Sequence, residues 1–293
     1  MKKRLVALLV AVMATCAFAG CGSKEASTEA PAEAVEATAE TTEAAAEVAT
    51  EATAEVKEEA TEAAADVTGK KWIVATDTVF RPFEFTNENG EFVGIDVDIL
   101  AAVAEDQGFE YELQSLGWDA GVAAVQAGQA DALIAGATIK QERIDSGWIF
   151  SDGYYDATQT FVVAKDSEVA SFEDLAGKNV AVKNGTAGAD FANSLKDEYG
   201  FTVTVFEDSP TMYQDVILGN SVACCEDTPI MADNIKTSGL ELKIPEGMES
   251  EGAPYGFAIM DVNNQALLDA FNAGLANIKA NGKYQEILDK YLK

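Results

Sequence analysis

The sequence predicts an α/β fold in which parallel sheets are covered by helices. Between residues 69 and 293, short apolar runs that are typical of buried strands alternate with stretches of helical periodicity. This region is long enough to form two modest lobes, each with a core of its own. In such sheets ligands bind beyond the carboxyl ends of the strands, so functional residues are expected to follow the apolar runs.

Seven apolar runs and five amphipathic stretches support this prediction. Strands are predicted at Trp72–Ala75, Tyr111–Gln114, Ala132–Ala135, Gln159–Ala164, Asn179–Val182, Val203–Phe206 and Val222–Cys225. Helices are predicted at Val97–Gln107, Ala120–Ala127, Asp190–Tyr199, Met212–Leu218 and Ala266–Ala280. Ser209 and Pro210 are expected at the N-cap and first position of a helix, whereas Gly108 and Gly128 are expected to end helices.

The N-terminus has the parts of a secretory signal peptide. The basic segment Lys2–Arg4 precedes the apolar run Leu5–Met13, which is too short to span a membrane. The segment Phe18–Cys21 resembles a bacterial lipobox, although Leu is usual at its first position. We therefore expect residues 1–20 to be removed and Cys21 to carry the lipid that anchors the protein to the outer face of the cell membrane. A plain signal peptide that is cleaved nearby is the alternative.

Residues 21–68 are expected to be the lipidated Cys21 and a disordered tether rich in Ala, Glu and Thr. From residue 22 onwards this segment holds thirteen acidic residues against Lys24 and Lys57, and it has no aromatic residue. Such a composition buries too little apolar surface to offset the entropy of ordering. No later stretch is apolar and long enough to span a membrane, so residues 69–293 are expected outside the membrane.

The composition excludes several chemistries. The chain has no His, which removes Ser-His-Asp hydrolysis, Cys-His proteolysis and His-based metal sites. No P-loop or dinucleotide glycine motif follows a predicted strand, and Asp96-Val97-Asp98 lacks the remaining ligands of a calcium loop. The formal charge of −30 argues against nucleic acid as a partner. We expect no metal and no cofactor, and we expect Cys224 and Cys225 to be buried thiols.

Arg143 is the first candidate for ligand binding. The chain has three arginines, Arg4, Arg81 and Arg143, and Arg4 lies in the predicted signal peptide. Arg143 comes shortly after an apolar run and a small-residue turn, where a planar guanidinium suits bidentate recognition of a carboxylate. Because the chain is so acidic, a surface salt bridge explains this residue equally well when it is considered alone.

Five segments match the motifs of one family in order and with sensible spacing. They are Ala75–Phe85, Gly90–Ile99, Thr138–Arg143 with Phe150–Tyr155, Val180–Thr186 and Glu226–Pro229. Through them nearly all of residues 69–293 resembles the polar amino-acid binding proteins of ABC importers, and most closely the glutamine-binding proteins. The resemblance implies a two-lobed periplasmic-binding-protein-like fold, with two mainly parallel sheets, flanking helices and a hinge that the chain crosses twice.

The resemblance also implies where the lobes lie in the sequence. Lobe 1 would comprise residues 69–152 and 256–293, and lobe 2 would comprise residues 158–250. The chain would cross between them near Gly153–Ala157 and again near Glu251–Tyr255. The ligand would then bind between the lobes, and their closure over it would be the functional motion.

The resemblance assigns a set of groups to the ligand α-carboxylate. Arg143 would clamp it, helped by the backbone N–H groups of Thr138, Thr186 and Ala187. Thr186 and Ala187 are expected at a helix N-terminus, which favours anions. Ala187 replaces a glycine of the family, with little effect if only its N–H is used.

The ammonium and the apolar stem of the ligand are assigned in the same way. Asp227 would bind the α-ammonium together with the Gly136 carbonyl and the Thr138 hydroxyl. Phe80 and Trp118 would sandwich the apolar stem. Without the flanking motifs, ordinary core packing would be the better explanation of both aromatic residues.

Three further residues bear on the ligand side chain. Asp77 and Lys183 occupy positions where glutamine binders hold the side-chain amide, although a turn Asp and a solvated Lys are the alternatives. Glu226 departs from the family, because His can occupy this position. Arg143 and Asp227 would neutralise the charges of the amino-acid backbone, and the other three residues then leave a net charge of −1, which disfavours acidic ligands.

These assignments predict an extracytoplasmic solute-binding lipoprotein rather than an enzyme. It would capture a polar L-amino acid by lobe closure, deliver it to the permease of an ABC importer, and act as a monomer. A glutamine-like ligand is favoured, whereas Glu226 makes lysine or arginine the alternative. A different class also stays open, because some relatives with this fold are dehydratases of prephenate-like acids, in which Glu226 could supply the catalytic acid.

Overall fold

In the computed structural model of the protein, residues 67–293 are described, and strands alternate with helices along them. The strands are β1 (Lys71–Thr76), β2 (Phe85–Thr86), β3 (Phe92–Val93), β4 (Glu110–Ser115), β5 (Ala132–Leu133), β6 (Ile149–Phe150), β7 (Tyr155–Ala157), β8 (Gln159–Ala164), β9 (Asn179–Lys183), β10 (Thr202–Phe206), β11 (Ala223–Asp227), β12 (Leu242–Lys243), β13 (Ala253–Tyr255) and β14 (Ala258–Ile259). The helices are α1 (Ile95–Gln107), α2 (Trp118–Gln126), α3 (Gln141–Asp145), α4 (Ala187–Tyr199), α5 (Ser209–Ile217), α6 (Thr228–Ser238), α7 (Gln265–Ala280) and α8 (Lys283–Leu292), with single 3-10 turns at Phe172–Leu175 and Val262–Asn264. The predicted signal peptide, the lipidation of Cys21 and the tether up to residue 66 lie outside the described residues.

The first sheet has the strand order β4-β1-β5-β14-β6. Its strand β1 is parallel to β4 and β5, whereas β14 is antiparallel to β5 and β6. Val74 packs in a core with α1 and α7, and Ala75 packs on the other face with α2. Because both faces are covered by helices, the sequence of β1 is a continuous apolar run rather than an alternating one.

The second sheet has the strand order β10-β9-β11-β8-β12. Here β9 is parallel to β10 and β11, whereas β8 is antiparallel to β11 and β12. Cys224 and Cys225 are neighbours in β11 and therefore point to opposite faces. Cys225 packs with residues of α4, Cys224 packs with residues of α5, and both are free, buried thiols.

Two short strands connect the sheets. The chain leaves the first sheet through β7 and returns to it through β13. These strands pair in antiparallel fashion, with Tyr155 opposite Tyr255 and Ala157 opposite Ala253. After β13 the chain adds β14 to the first sheet, and α7 and α8 pack against α1. Within the described part of the chain, no helix is both long and apolar enough to cross a membrane.

Every predicted strand and helix overlaps an observed one, but helix starts and short elements differ. The N-cap of α5 is Asp208, not the predicted Ser209, because the Asp208 carboxylate accepts the N–H of Thr211 at 2.8 Å. Ser209 instead donates its hydroxyl to Glu226 at 2.7 Å. The sequence prediction also omits α3, α6 and α8, and it starts α2 at Ala120, two residues after the observed start at Trp118.

Candidate functional site

A small cavity lies between the two sheets, and its lining comes from both of them. Its volume is about 20 Å³, which is room for roughly one water. All eleven residues that the sequence predicts for ligand binding line it, together with Ala135. They are Asp77, Phe80, Trp118, Gly136, Thr138 and Arg143 on the side of the first sheet, and Lys183, Thr186, Ala187, Glu226 and Asp227 on the side of the second.

The topology explains why these residues meet. Asp77 follows β1, Lys183 ends β9, and Glu226 with Asp227 ends β11, so all four lie at carboxyl ends of strands. The carboxyl ends of parallel strands share one edge of a sheet, and ligand sites form at that edge. Thr186 lies beyond β9 as the N-cap of α4, where its hydroxyl accepts the N–H of Ala189 at 3.2 Å.

Arg143 is buried, with 6% of its surface exposed. Its guanidinium donates to the carbonyl of Thr138 at 2.8 Å and to that of Gly185 at 3.2 Å. It also lies 4.8 Å from the ring centre of Trp118. Among the described residues, none of the ion pairs involves Arg143, so the surface salt bridge is the wrong explanation. Burial lowers the pKa of Arg143 to about 10, which leaves it charged at neutral pH.

The start of α4 gives the site a second group suited to anions. The first N–H groups of a helix have no partner within the helix and point outward. In α4 the first of these N–H groups belongs to Ala187, which lines the cavity together with the N-cap residue Thr186. Gly188 is needed here, because a Cβ at this position would lie 2.9 Å from the carbonyl oxygen of Cys225. The helix start is therefore packed directly against β11.

Asp227 is buried and is held by two neutral donors. The side-chain amide of Gln159 donates to Oδ1 at 2.9 Å, and the hydroxyl of Tyr255 donates to Oδ2 at 2.5 Å. Burial, reinforced by the charge of Glu226, raises the pKa of Asp227 to about 7. The two hydrogen bonds and the charge of Arg143 lower this pKa, but burial and Glu226 outweigh them.

Asp77 and Lys183 form a buried ion pair between the two sides of the cavity. Lys183 donates to Asp77 Oδ2, and the N–H of Thr78 donates to Oδ1 at 2.6 Å. Burial acts to lower the pKa of Lys183, but the charges of Asp77 and Glu226 outweigh it and raise this pKa. Lys183 is therefore not a solvated Lys, whereas Asp77 combines the local hydrogen bond of a turn Asp with a buried ion pair.

Glu226 is buried, and its hydrogen-bond donors come from helix α5 and from its own strand β11. Its Oε2 accepts the hydroxyls of Ser209 at 2.7 Å and Tyr213 at 2.9 Å. Its Oε1 accepts the N–H of Asp227 at 3.1 Å. All these donors are neutral, so the negative charge of Glu226 is solvated by dipoles and not cancelled.

Phe80 and Trp118 are both buried, and both line the cavity. Gly136 takes a φ of +55°, and a Cβ on it would lie 2.6 Å from the ring of Phe80. Only glycine therefore allows Phe80 to pack against this turn. The N–H of Gly136 donates to Asp96 Oδ2 at 2.8 Å.

Several residues that hold the site were missed by sequence reasoning. They are Asp96, Gln159, Ser209, Tyr213 and Tyr255. Ser209 stands out in the sequence as a Ser before Pro210, but that pattern predicts a helix cap and not a contact with Glu226. The contact of Tyr255 with Asp227 joins residues 28 apart through the β13 strand, and no local pattern in the sequence predicts it.

Polar contacts also join the two sides around the cavity. They are Asp77–Lys183, Arg81–Asp233, Asp119–Asn184, Lys140–Asp190 and Arg143–Gly185. The Arg81 contact is 2.6 Å long and the Asn184 contact is 2.9 Å long. Most of these groups lie at the rim, where water can compete with them.

Comparisons with known proteins find amino-acid-binding proteins among those that are similar to this chain. The arginine-binding periplasmic protein of Mannheimia haemolytica is 32% identical over 228 residues, which cover 75% of this chain and 90% of that protein. The second substrate binding domain of a putative amino acid ABC transporter from Streptococcus pneumoniae is 42% identical, with a TM-score of 0.55, and the match covers 76% of this chain and 100% of that domain. An ancestral arginine-binding protein bound to glutamine is 32% identical, with a TM-score of 0.69 and coverage of 76% and 97%.

The two-lobed periplasmic-binding-protein fold that the sequence predicts is confirmed by these structural matches, and we call the first-sheet side lobe 1 and the second-sheet side lobe 2. A family model matches residues 72–293, which is almost all of the described part of the chain. The chain belongs to the bacterial extracellular solute-binding proteins, family 3.

Proposed function

We propose that the protein captures a polar L-amino acid, with glutamine preferred, between its two lobes and delivers it to an ABC importer. The observation that carries this proposal is the pairing of two buried, opposite charges around one cavity. Arg143 has no carboxylate partner among the described residues, and Asp227 is held by neutral donors alone. An amino acid would supply both counter-charges, a carboxylate for Arg143 and an ammonium for Asp227.

The backbone of the amino acid fits these groups in one orientation. Its carboxylate lies against Arg143 and the start of α4, both of which favour anions. Its ammonium lies against Asp227 and restores the charged form that burial disfavours. Phe80 and Trp118 supply apolar surface for the stem of the side chain.

The ion pair of Asp77 and Lys183 favours glutamine. An amide can donate its –NH₂ to Asp77 and accept from Lys183, so both buried groups stay satisfied when the ligand enters. The positive charge of Lys183 opposes a cationic side chain at the same place. An acidic side chain would add a third negative charge to those of Asp77 and Glu226, against the single positive charge of Lys183.

A cationic amino acid is the second candidate, and it rests on Glu226. The negative charge of this residue is surrounded by neutral donors, so a guanidinium or ammonium tip could neutralise it. The relative from Mannheimia haemolytica is named for arginine, which fits this candidate. Glu226→Gln separates the two: it should leave glutamine binding nearly intact and weaken any basic amino acid markedly.

A thermal-shift screen of the full chain with the twenty common amino acids tests the proposal. We expect glutamine to raise the melting temperature most, and glutamate to raise it little. If arginine, lysine or histidine alone raises it, the cationic candidate replaces glutamine. If no amino acid raises it, the proposed function is wrong.

The proposal excludes turnover of the ligand. Glu226, the residue that a dehydratase would use as its acid, already accepts three hydrogen bonds and has none to donate while ionised. Glutamine incubated with the protein should therefore be recovered intact. Release of water from a prephenate-like acid would favour the dehydratase alternative.

We further propose that the lobes must open to admit the ligand. The cavity of about 20 Å³ is far smaller than an amino acid, so entry requires the contacts across its rim to break. The paired strands β7 and β13 connect the lobes and would act as the hinge. The lobe boundaries near residues 153–157 and 251–255 follow from this assignment.

The proposed location is the outer face of the cell membrane, where Cys21 would hold the protein as a monomer on a lipid anchor. The lipobox-like segment Phe18–Cys21 and the extracellular family support this proposal. Cys21→Ala tests it, because the wild type should incorporate fatty acid and the variant should not. A variant that incorporates as much fatty acid as the wild type would contradict lipid anchoring at this residue.

A further inference from the structure

A pair of buried carboxyl groups lies beneath the cavity and takes no part in the proposed ligand contacts. Glu84 and Asp96 are both 0% exposed. Four buried side-chain polar atoms in the described residues lack a hydrogen-bond partner, and three of them belong to this pair: both carboxyl oxygens of Glu84 and Oδ1 of Asp96. Unsatisfied groups of this kind are costly, so a missing hydrogen bond must be accounted for.

The hydrogen bonds of Asp96 leave one of its two oxygens free. Oδ2 accepts the N–H of Gly136 at 2.8 Å and the hydroxyl of Tyr154 at 2.9 Å. Oδ1 has no donor, and both oxygens of the neighbouring carboxyl group, Glu84, are also without a partner. Two ionised carboxylates repel each other in a buried site, whereas a carboxyl group and a carboxylate can share a proton.

We propose that Glu84 and Asp96 share one proton and act together as positioning residues for the ammonium side of the ligand site. Glu84 holds the proton and donates it to Asp96 Oδ1, so the pair carries a single negative charge. This hydrogen bond satisfies two of the three unpartnered oxygens. The positioning role rests on the proposed function, whereas the shared proton does not.

Asp96 acts on the site through Gly136. The turn at Gly136 has a φ of +55° and is packed against the ring of Phe80. The hydrogen bond from Gly136 to Asp96 ties this turn to the first turn of α1 and fixes the plane of the Ala135–Gly136 peptide, which directly precedes the Gly136 carbonyl. Tyr154, the other donor to Asp96, directly precedes the hinge strand β7. The Asp96 carboxylate therefore connects the turn at Gly136 with the start of this strand.

The electrostatic surroundings agree with a retained proton. The groups that face the pair are Asp77, Lys183 and Tyr154. Burial, followed by the charges of Asp96 and Asp77, raises the pKa of Glu84 well above its ordinary range. Burial raises the pKa of Asp96 to about 7. Because both values are raised in the folded state, the stability that the protons contribute is lost as the pH rises through them.

The variants Glu84→Gln and Glu84→Met test the proposal on the full chain. The amide of Gln donates to Asp96 Oδ1 without a proton to lose, whereas Met fills similar space and donates nothing. Glu105→Gln, an exposed position on α1, is the matched control. The readouts are the unfolding midpoint between pH 6 and 9.5 and the affinity for L-glutamine at pH 7.

We expect the wild-type midpoint to fall at alkaline pH and Glu84→Gln to flatten this fall while keeping glutamine affinity within about twofold. Glu84→Met should weaken glutamine binding by about tenfold, the effect of one stranded buried acceptor. An alkaline fall in Glu84→Gln equal to the wild type would overturn the shared proton, even if Glu84→Met fails to fold. Equal glutamine affinity in the Met and Gln variants would overturn the positioning role. If the wild type binds no glutamine, the proposed function fails, but the unfolding midpoints still decide the shared proton.

Discussion

At the scale of single residues, the site is built from charges that the protein leaves uncancelled. Arg143 donates to two carbonyl groups, and Asp227 accepts from an amide and a hydroxyl. Neutral partners hold these side chains in place without neutralising them. A ligand with complementary charges therefore gains more than a surface ion pair would, because both partners are already desolvated and oriented.

Arg143→Lys is predicted to weaken binding of every accepted amino acid by a similar factor. Lysine offers a point charge in place of a planar fork, so the loss is expected to be about 1.5–3 kcal/mol. Calorimetry with glutamine measures it. Arg81→Lys is the control, because Arg81 is partly exposed and its ion pair with Asp233 is expected to contribute less than about 1 kcal/mol. Unchanged affinity in Arg143→Lys would contradict its role at the carboxylate.

Glutamine affinity is predicted to fall as the pH is lowered through neutrality. The pKa of Asp227 is raised to about 7 in the structure, and the ammonium requires the ionised form. Below this value affinity should decrease by up to about tenfold per pH unit. The free energy of unfolding without ligand has the opposite pH dependence. Protonated Asp227 stabilises the folded state, and this contribution is lost as the pH rises through the raised pKa.

Titration calorimetry from pH 5.5 to 8.5 checks this dependence. Asp227→Asn should bind glutamine more weakly and should show a flatter profile over the same range. A wild-type affinity that does not change between pH 8 and pH 6 would mean that Asp227 stays ionised, and that its raised pKa has no part in binding.

At the scale of elements, the sequence predicted the interior strands well and the connecting elements poorly. Strands such as β1 and β9 are buried on both faces, so their apolar runs are continuous and easy to recognise. The strands β7 and β13 have three residues each and owe their conformation to one another. Such pairing depends on contacts far apart in sequence, which local patterns do not contain.

The contrast between local patterns and long-range contacts also explains which residues of the site could be predicted. Eight of the eleven residues that are predicted to bind the ligand lie in the matched motifs, and four of these eight lie at strand ends: Asp77, Lys183, Glu226 and Asp227. The residues that hold them, including Gln159 and Tyr255, come from different elements and carry no motif of their own. The burial of Arg143 could not be predicted either, because it depends on Trp118 and Gly185 packing around it.

Tyr255→Phe is predicted to weaken glutamine binding by several-fold at pH 7. The change removes the hydroxyl that donates to Asp227, a bond of about 1 kcal/mol, and leaves the ring packed on Phe83 and Tyr155. It should also raise the pH at which binding is lost, because Asp227 loses a donor to its charged form. Tyr155→Phe, on the partner strand β7, is the control. Equal behaviour of the two variants would show that the Tyr255 hydroxyl does not support Asp227.

At the scale of the whole molecule, the contacts that join the lobes are few and mostly near the surface. Lys140–Asp190 and Arg81–Asp233 are partly exposed pairs, each of which contributes little on its own. The open and closed arrangements can therefore lie close in free energy. A ligand that bridges both lobes needs only a modest difference in affinity to shift the population.

Solution scattering is predicted to detect this shift. Saturating glutamine should reduce the radius of gyration, because the lobes close around the ligand. Arg143→Lys at the same glutamine concentration serves as a control with reduced occupancy. Identical scattering profiles with and without glutamine would contradict closure as the functional motion.

The central claim is that Arg143 and Asp227 hold the two charges of an amino-acid backbone in one cavity. Calorimetry with L-glutamine and two derivatives tests it most directly: N-acetyl-L-glutamine lacks the ammonium, and L-glutamine amide lacks the carboxylate. We predict that L-glutamine binds and that each derivative binds at least about tenfold more weakly, since each leaves one buried charge without its partner. Derivatives that bind as tightly as L-glutamine would contradict the claim.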